Sequence, residues 1–167
     1  MNRDSQLIYE AYEAGFTGVK TNADGTKMWY VNGQFHREDG PAIEWPNGRK
    51  AWYVNNKLHR IDGPAIEWSD SNKQWFVNGK RHREDGPAIE SAGGTKEWYV
   101  NNKLHRLDGP AIEYSDGVKE WYINGKRFHT PEEWAEAVLK KYNKPSDPRS
   151  VDNFLRPILA KYMDELF

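Results

Sequence analysis

The residues with the most chemical potential in this chain belong to one motif, His-Arg-x-Asp-Gly-Pro-Ala, which occurs four times, starting at His36, His59, His82 and His105. An imidazole close to a carboxylate can act as a general base with its orienting acid, and it can also hold zinc. Spacing argues against both. The copies stand 23 residues apart. If each unit contributes two strands, equivalent histidines lie roughly 9–10 Å from one another. Zinc ligands must approach one ion to about 2 Å, so no two equivalent histidines can share a metal. Four equal copies also do not describe one catalytic centre. His36, His59, His82 and His105, with Asp39, Asp62, Asp85 and Asp108, are therefore read as framework residues, each imidazole bonded to its own aspartate turn. His129 breaks the register and reads as a helix-entry residue. The Asp-Gly pairs lack the clustered acidic ligands of a calcium loop. No Gly-rich phosphate loop, nucleophile elbow or Cys-His pair is present. The expectation is a chain with no catalytic residues, no metal and no cofactor: not an enzyme.

What positions the motif is a repeat. Trp29, Trp52, Trp75, Trp98 and Trp121 keep the same 23-residue step, as do the Asp-Gly-Pro-Ala-Ile-Glu blocks. A fixed period of this length signals stacked structural units, each burying its apolar face on the next. Every unit carries two turn signals. One is Asn32-Gly33, Asn55-Asn56, Asn78-Gly79, Asn101-Asn102 and Asn124-Gly125; the other is Asp24-Gly25, Asn47-Gly48, Asp70-Ser71, Gly93-Gly94 and Asp116-Gly117. Such pairs between apolar segments are the strongest short hairpin signals, because both central residues need positive φ. Two-residue turns throughout would set Trp52 opposite His59, Tyr114 opposite Lys119 and Ile112 opposite Trp121. Trp, Val, Ile and His then share one face, the expected core. The ladder Tyr30, Tyr53, Phe76, Tyr99 and Tyr122 shares the other with Glu and Arg. This register also sets Glu113 against Glu120, an unfavourable pair that a bulge could separate.

Composition narrows the partners. The 24 basic and 25 acidic residues are interleaved and leave a net charge of −1. No basic stripe stands out, which argues against nucleic acid. Cysteine is absent, so disulfides and thiolate sites are excluded. No run approaches a signal peptide or a membrane span, and a cytoplasmic protein is the expectation, with a membrane surface disfavoured by the balanced charge. Hydrophobic content is only 37%, yet 8 Trp, 9 Tyr and 6 Phe supply large surfaces to bury.

The ends differ from the middle. Residues 1–15 read as an N-terminal helical cap, with a helix over 4–14 stopped at Gly15. Residues 16–128 read as the repeat array, opened by a half-repeat over 16–28, and residues 129–167 as a two-helix segment. Thr130-Pro131-Glu132-Glu133 has the form of a helix start, with Trp134, Val138, Leu139 and Tyr142 on one side of about 12 residues. A second helix capped by Ser150 carries Phe154, Leu155, Ile158, Leu159 and Tyr162 at helical spacing. Trp134 and this set either cap the array or dock a partner, and they offer a route to a homo-oligomer.

The spacing Trp-x-x-Asn-Gly-Lys-x-His, followed by a Gly turn and an aromatic-x-Asp-Gly, resembles the MORN repeat, also 23 residues long. Arg37, Arg60, Arg83 and Arg106 stand where MORN units carry Gly, and the chain looks more like the His-Arg-x-Asp-Gly-Pro-Ala variant of phage and giant-virus proteins. The resemblance covers about residues 16–128. It implies a mainly β, single-layer β-hairpin solenoid with α-helical caps, and a function in scaffolding or binding. The expected function is a non-enzymatic protein-binding module. The viral look of the repeat implies a host enzyme or defence protein as partner, in the host cytoplasm. The alternative is a small-ligand module for a nucleotide, sugar or lipid headgroup. Its binding residues would be the Tyr30, Tyr53, Phe76, Tyr99 and Tyr122 ladder with Arg37, Arg60, Arg83 and Arg106 as donors. Positions that break the repeat, such as Phe35, Arg81 and Ser91, owe least to the shared architecture.

Overall fold

The computed structural model describes residues 15–142. The helices expected over 4–14 and from Ser150 onward, with Phe154, Leu155, Ile158, Leu159 and Tyr162, lie outside the described residues.

The described chain is mainly β, and most of its strands follow one another in one antiparallel sheet. Two-residue strands such as Ile43–Glu44, Lys50–Ala51, Ile66–Glu67 and Lys73–Gln74 pair in chain order, two per repeat. The sheet counts twelve strands among the described residues and runs linearly from Gly18–Thr21 to Lys126–Phe128, so it does not close into a barrel. Hairpins Tyr53–Leu58, Phe76–Arg81 and Tyr99–Leu104 stand outside this path. Each is tied to the preceding unit by backbone bonds: Asn56 N–H donates to Phe35 O, Gly79 to Leu58 O and Asn102 to Arg81 O.

The Asn turns form as the sequence predicts. Asn55 and Asn56 have φ of 49° and 61°, Val54 pairs with Lys57, and the His59 N–H reaches the Trp52 carbonyl. Two positive φ values in succession define the twist-matched two-residue turn.

The other turn departs from expectation. Glu113 pairs with Lys119 and Ile112 with Glu120, so the connection spans three residues rather than two. Tyr114 N–H bonds to Val118 O, Gly117 N–H to Tyr114 O, and Gly117 takes φ 88°. This is a type I turn closed by a left-handed residue. The Asp116 carboxylate favours it by accepting the Val118 N–H at 3.0 Å, as Asp24, Asn47 and Asp70 do in their turns. Ser71 fills the left-handed position at φ 73° without being glycine.

One extra residue moves every side chain of the strand to the other face. Ile therefore joins the Tyr/Phe ladder instead of Trp. Met28, Tyr30, Ile43, Ala51, Ala65, Ile66 and Phe76 form the buried cluster, with Phe35, Tyr53, Leu58, Trp45 and Trp68 packed on it. The tryptophans at the 23-residue step, Trp29, Trp52, Trp75 and Trp98, occupy the opposite, partly exposed side. The same shift removes the Glu113–Glu120 conflict. In its place a cross-strand ladder of alternating sign runs through Lys27, Glu44, Lys50, Glu67, Lys73, Glu90, Lys96, Glu113 and Lys119. Each opposed pair stabilises by roughly 0.2–1 kcal/mol.

Both described ends are closed by residues outside the complete repeats. Phe16 meets Tyr30 edge-on at 6.0 Å, its carbonyl accepts the Gly33 N–H, and Thr17 Oγ1 accepts the Asn32 N–H. At the other end the helix Pro131–Tyr142 (α1) starts as expected: Thr130 Oγ1 accepts the Glu133 N–H at 3.2 Å, and Glu133 reaches back to the His129 N–H. Trp134 is fully buried against Trp121 at 4.7 Å, and its indole N–H donates to Arg106 O. The last repeat thus receives an indole in place of a further unit. Trp134→Ala should cost about 3–5 kcal/mol in chemical denaturation. A loss under about 0.5 kcal/mol, within the range of an ordinary surface change, would refute a capping role for α1.

Candidate functional site

The motif residues build one bracket per repeat. Arg60 lays its guanidinium over the Trp52 ring at 4.1 Å. From there Nε donates to Asp62 at 3.0 Å and Nη1 to Pro64 O at 3.3 Å and Glu67 at 2.9 Å. Arg37, Arg83 and Arg106 repeat this over Trp29, Trp75 and Trp98 at 4.2, 4.0 and 3.9 Å, each with its own aspartate. In the first repeat Glu44 stands farther off, at 3.5 Å from Arg37. The glycine of the motif makes room for this approach. A Cβ on Gly63 would lie 2.8 Å from Arg60 Cζ, so a larger residue there would have to displace the guanidinium. The hydrogen bond from Arg60 and then its charge hold the Asp62 carboxyl below the usual carboxylate range; Asp39 and Asp85 respond alike to Arg37 and Arg83.

The histidines stitch repeats together. The Nδ1 atoms of His59, His82 and His105 accept the N–H of Asn78, Asn101 and Asn124, one repeat onward, at 3.1, 3.4 and 3.0 Å. That geometry puts the proton of a neutral ring on Nε2. The aspartate of each motif is taken by its Arg, and His59, His82 and His105 turn to the next unit rather than following the expectation of a bond within their own turn alone.

The Tyr and Arg rows, read from sequence as one candidate surface, do not converge. Tyr30 is 2% exposed and Phe76 8%, inside the core, and Phe35 bridges Tyr30 and Tyr53 at 4.8 and 5.6 Å. Burial pushes the Tyr30 hydroxyl up to about 12. In the last two repeats the inner row turns polar: Tyr99 donates to Glu97 at 2.9 Å and Tyr122 to Glu120 at 2.8 Å. Burial and then the Glu97 bond carry Tyr99 to about 12. Arg81 lies 5.7 and 5.6 Å over Phe76 and Tyr99, its Nε buried with no hydrogen-bond partner among the described residues. Sequence reading flagged Arg81 but missed Glu97 and Glu120, whose signal is the change from Met28 and Ala51 at the same repeat position.

On the opposite side, among the described residues, the brackets leave a row of like grooves, three of them of about 710, 790 and 670 Å³ in chain order. In the middle one, Trp75, Val77 and His82 meet Ile61, Gly63 and Pro64 of the preceding repeat. Ile61 is 84% exposed on the rim. No sequence signal announced these grooves, because they lie between units.

Among the described residues, no group of three or more His, Asp or Glu is placed to hold a metal ion, and no helix is long and apolar enough to cross a membrane. No protein-family model matches the chain, and no curated protein matches it.

Arg60→Ala should cost about 2–4 kcal/mol, from lost stacking and charge-assisted bonds. Arg60→Lys should recover less than half, since an ammonium cannot stack and reach three acceptors at once. Equal stability of the lysine variant in urea unfolding would contradict the bracket. The aspartates give a pH signature. Their folded pKa lies below the unfolded value near 3.9, so their contribution is present above it and disappears as pH falls through the folded value. A triple Asp39→Asn, Asp62→Asn, Asp85→Asn variant should show a flatter acid limb of stability against pH than the parent. An unchanged slope would mean that the pairs are not formed.

Proposed function

We propose that this chain is a non-enzymatic protein-binding module, built as a MORN-like β-hairpin solenoid. The observation that carries the reading is the division of labour in each repeat. Arg, Asp and Trp hold each unit's own turn, His joins it to the next unit, and what they leave toward solvent is a regular row of shallow grooves. Reactive groups committed to structural bonds are poor catalysts, whereas an extended array of equivalent clefts suits a polypeptide partner. The resemblance of the motif to phage and giant-virus repeats directs the search toward host enzymes and defence proteins. Affinity purification of the tagged chain should return one partner at fixed stoichiometry, confirmed by light scattering of the purified complex. Recovery of no stoichiometric partner would count decisively against this reading.

A second reading, a small-ligand module, is favoured by one feature alone: the unpartnered Nε of Arg81 between the Phe76 and Tyr99 rings. A ligand held there by the folded state must raise the melting temperature. A thermal-shift screen of nucleotides, sugars and lipid headgroups without a positive removes it.

A further inference from the structure

We infer that the row of grooves binds an extended, polyproline-II-like segment carrying a basic residue at every third position. This rests on the protein-binding reading and names the partner's chemistry.

Trp52, Trp75 and Trp98 recur in the three grooves beside Val54, Val77 and Val100, each indole with one face under its arginine, and the Gly-Pro of the preceding repeat lines the same groove. Aromatic-lined grooves take up proline-rich chain, whose PPII conformation is already ordered. The rim is acidic. Glu38, Asp39, Asp62, Glu84, Asp85 and Asp108 have side chains between 66% and 88% exposed. The four arginines that neutralise part of this charge are only 16–23% exposed, pressed onto their indoles. A ligand approaching the row therefore meets carboxylates first, and its own charge must be positive.

Spacing selects the conformation. Each repeat advances by two strands, about 9–10 Å. A β-strand presents one face every two residues, about 6.6 Å, and falls out of step after one groove. A PPII helix presents one face every three residues, about 9.3 Å, and stays within about 1 Å of register across three grooves. A long Lys or Arg side chain absorbs that residue of mismatch. Ile61, apolar and exposed among the rim carboxylates, offers the prolines a contact between charges.

The experiment uses the full chain and a peptide of four Pro-Pro-Arg triplets, followed by quenching of the groove tryptophans and by calorimetry. One control keeps the same composition but breaks the three-residue spacing of the arginines, and the other is built of Pro-Pro-Glu triplets. The triplet peptide should bind at least tenfold more tightly than either control and weaken as salt rises. The Ile61→Lys, Glu84→Lys double variant alters only rim positions and should fold with unchanged circular dichroism, yet lose at least tenfold in affinity. Equal binding of the spacing control, indifference to the double variant, or no binding at all would overturn the inference. If the peptide fails while the chain still purifies with a stoichiometric folded partner, only this inference falls. If both fail, the protein-binding reading falls with it.

Discussion

The guanidinium lying on an indole is the contact on which the rest of this molecule depends. Arginine is the only side chain that can press a flat cation onto tryptophan while its edge still carries several directed donors. In each repeat one edge reaches the aspartate, the proline carbonyl and the glutamate of the sheet. A single residue thereby fixes the bend of Asp-Gly-Pro, lies against one face of the Trp and joins the turn to the Ile-Glu strand. A side chain at the glycine would push the guanidinium off the indole, because the guanidinium occupies the space of its Cβ. The motif is best understood as one packed object repeated four times.

The sheet beneath it is made of strands only two residues long in most repeats, too short to be stable as isolated hairpins. What holds them is lateral: the alternating Lys–Glu ladder on one face, the Ile–Tyr/Phe cluster on the other, and the His-to-Asn bonds between units. None of these is strong alone. Their repetition at a constant step makes them cooperative, since each strand is ordered by neighbours on both sides. It also explains why the ends need special treatment. Phe16 and Thr17 supply acceptors at the start, and Trp134 supplies an indole at the finish.

This division leaves two kinds of surface. The Trp side is regular, with grooves that differ mainly at their rims: Glu38, Ile61, Glu84 and Leu107 occupy the same motif position. The inner side is graded, apolar where Met28 and Ala51 lie, and polar where Glu97 and Glu120 receive tyrosine hydroxyls. A regular surface suits a ligand with its own period, and a graded one suits a compact ligand at a single place. The spacing and charge of the grooves give the former the stronger physical basis.

The 23-residue period, the Asn turns with positive φ and the Thr130 cap of α1 were legible in the sequence, because each is set by residues close together in the chain. Periodicity set His and Asp apart as repeating framework positions, whereas Arg, read from the sequence as a ligand donor, is taken up by Trp and Asp within the repeat. Which face is buried was not legible. The two-residue turn expected at Asp116-Gly117 and the three-residue turn that forms there differ by one residue, and strand alternation turns that difference into an exchange of faces. The choice depends on the aspartate bonding to the backbone two residues on and on Lys meeting Glu across the sheet, and only the second of these is a contact between strands. For the same reason the aspartate's partner was misassigned: His and Arg are adjacent in sequence and both can bond Asp, but only the packed repeat brings Asn of the next unit to the imidazole and tryptophan under the guanidinium. The sequence alone determined how often the structure repeats and where its chain turns. Tertiary contacts between repeats decided which side faces inward, and with it where the grooves open.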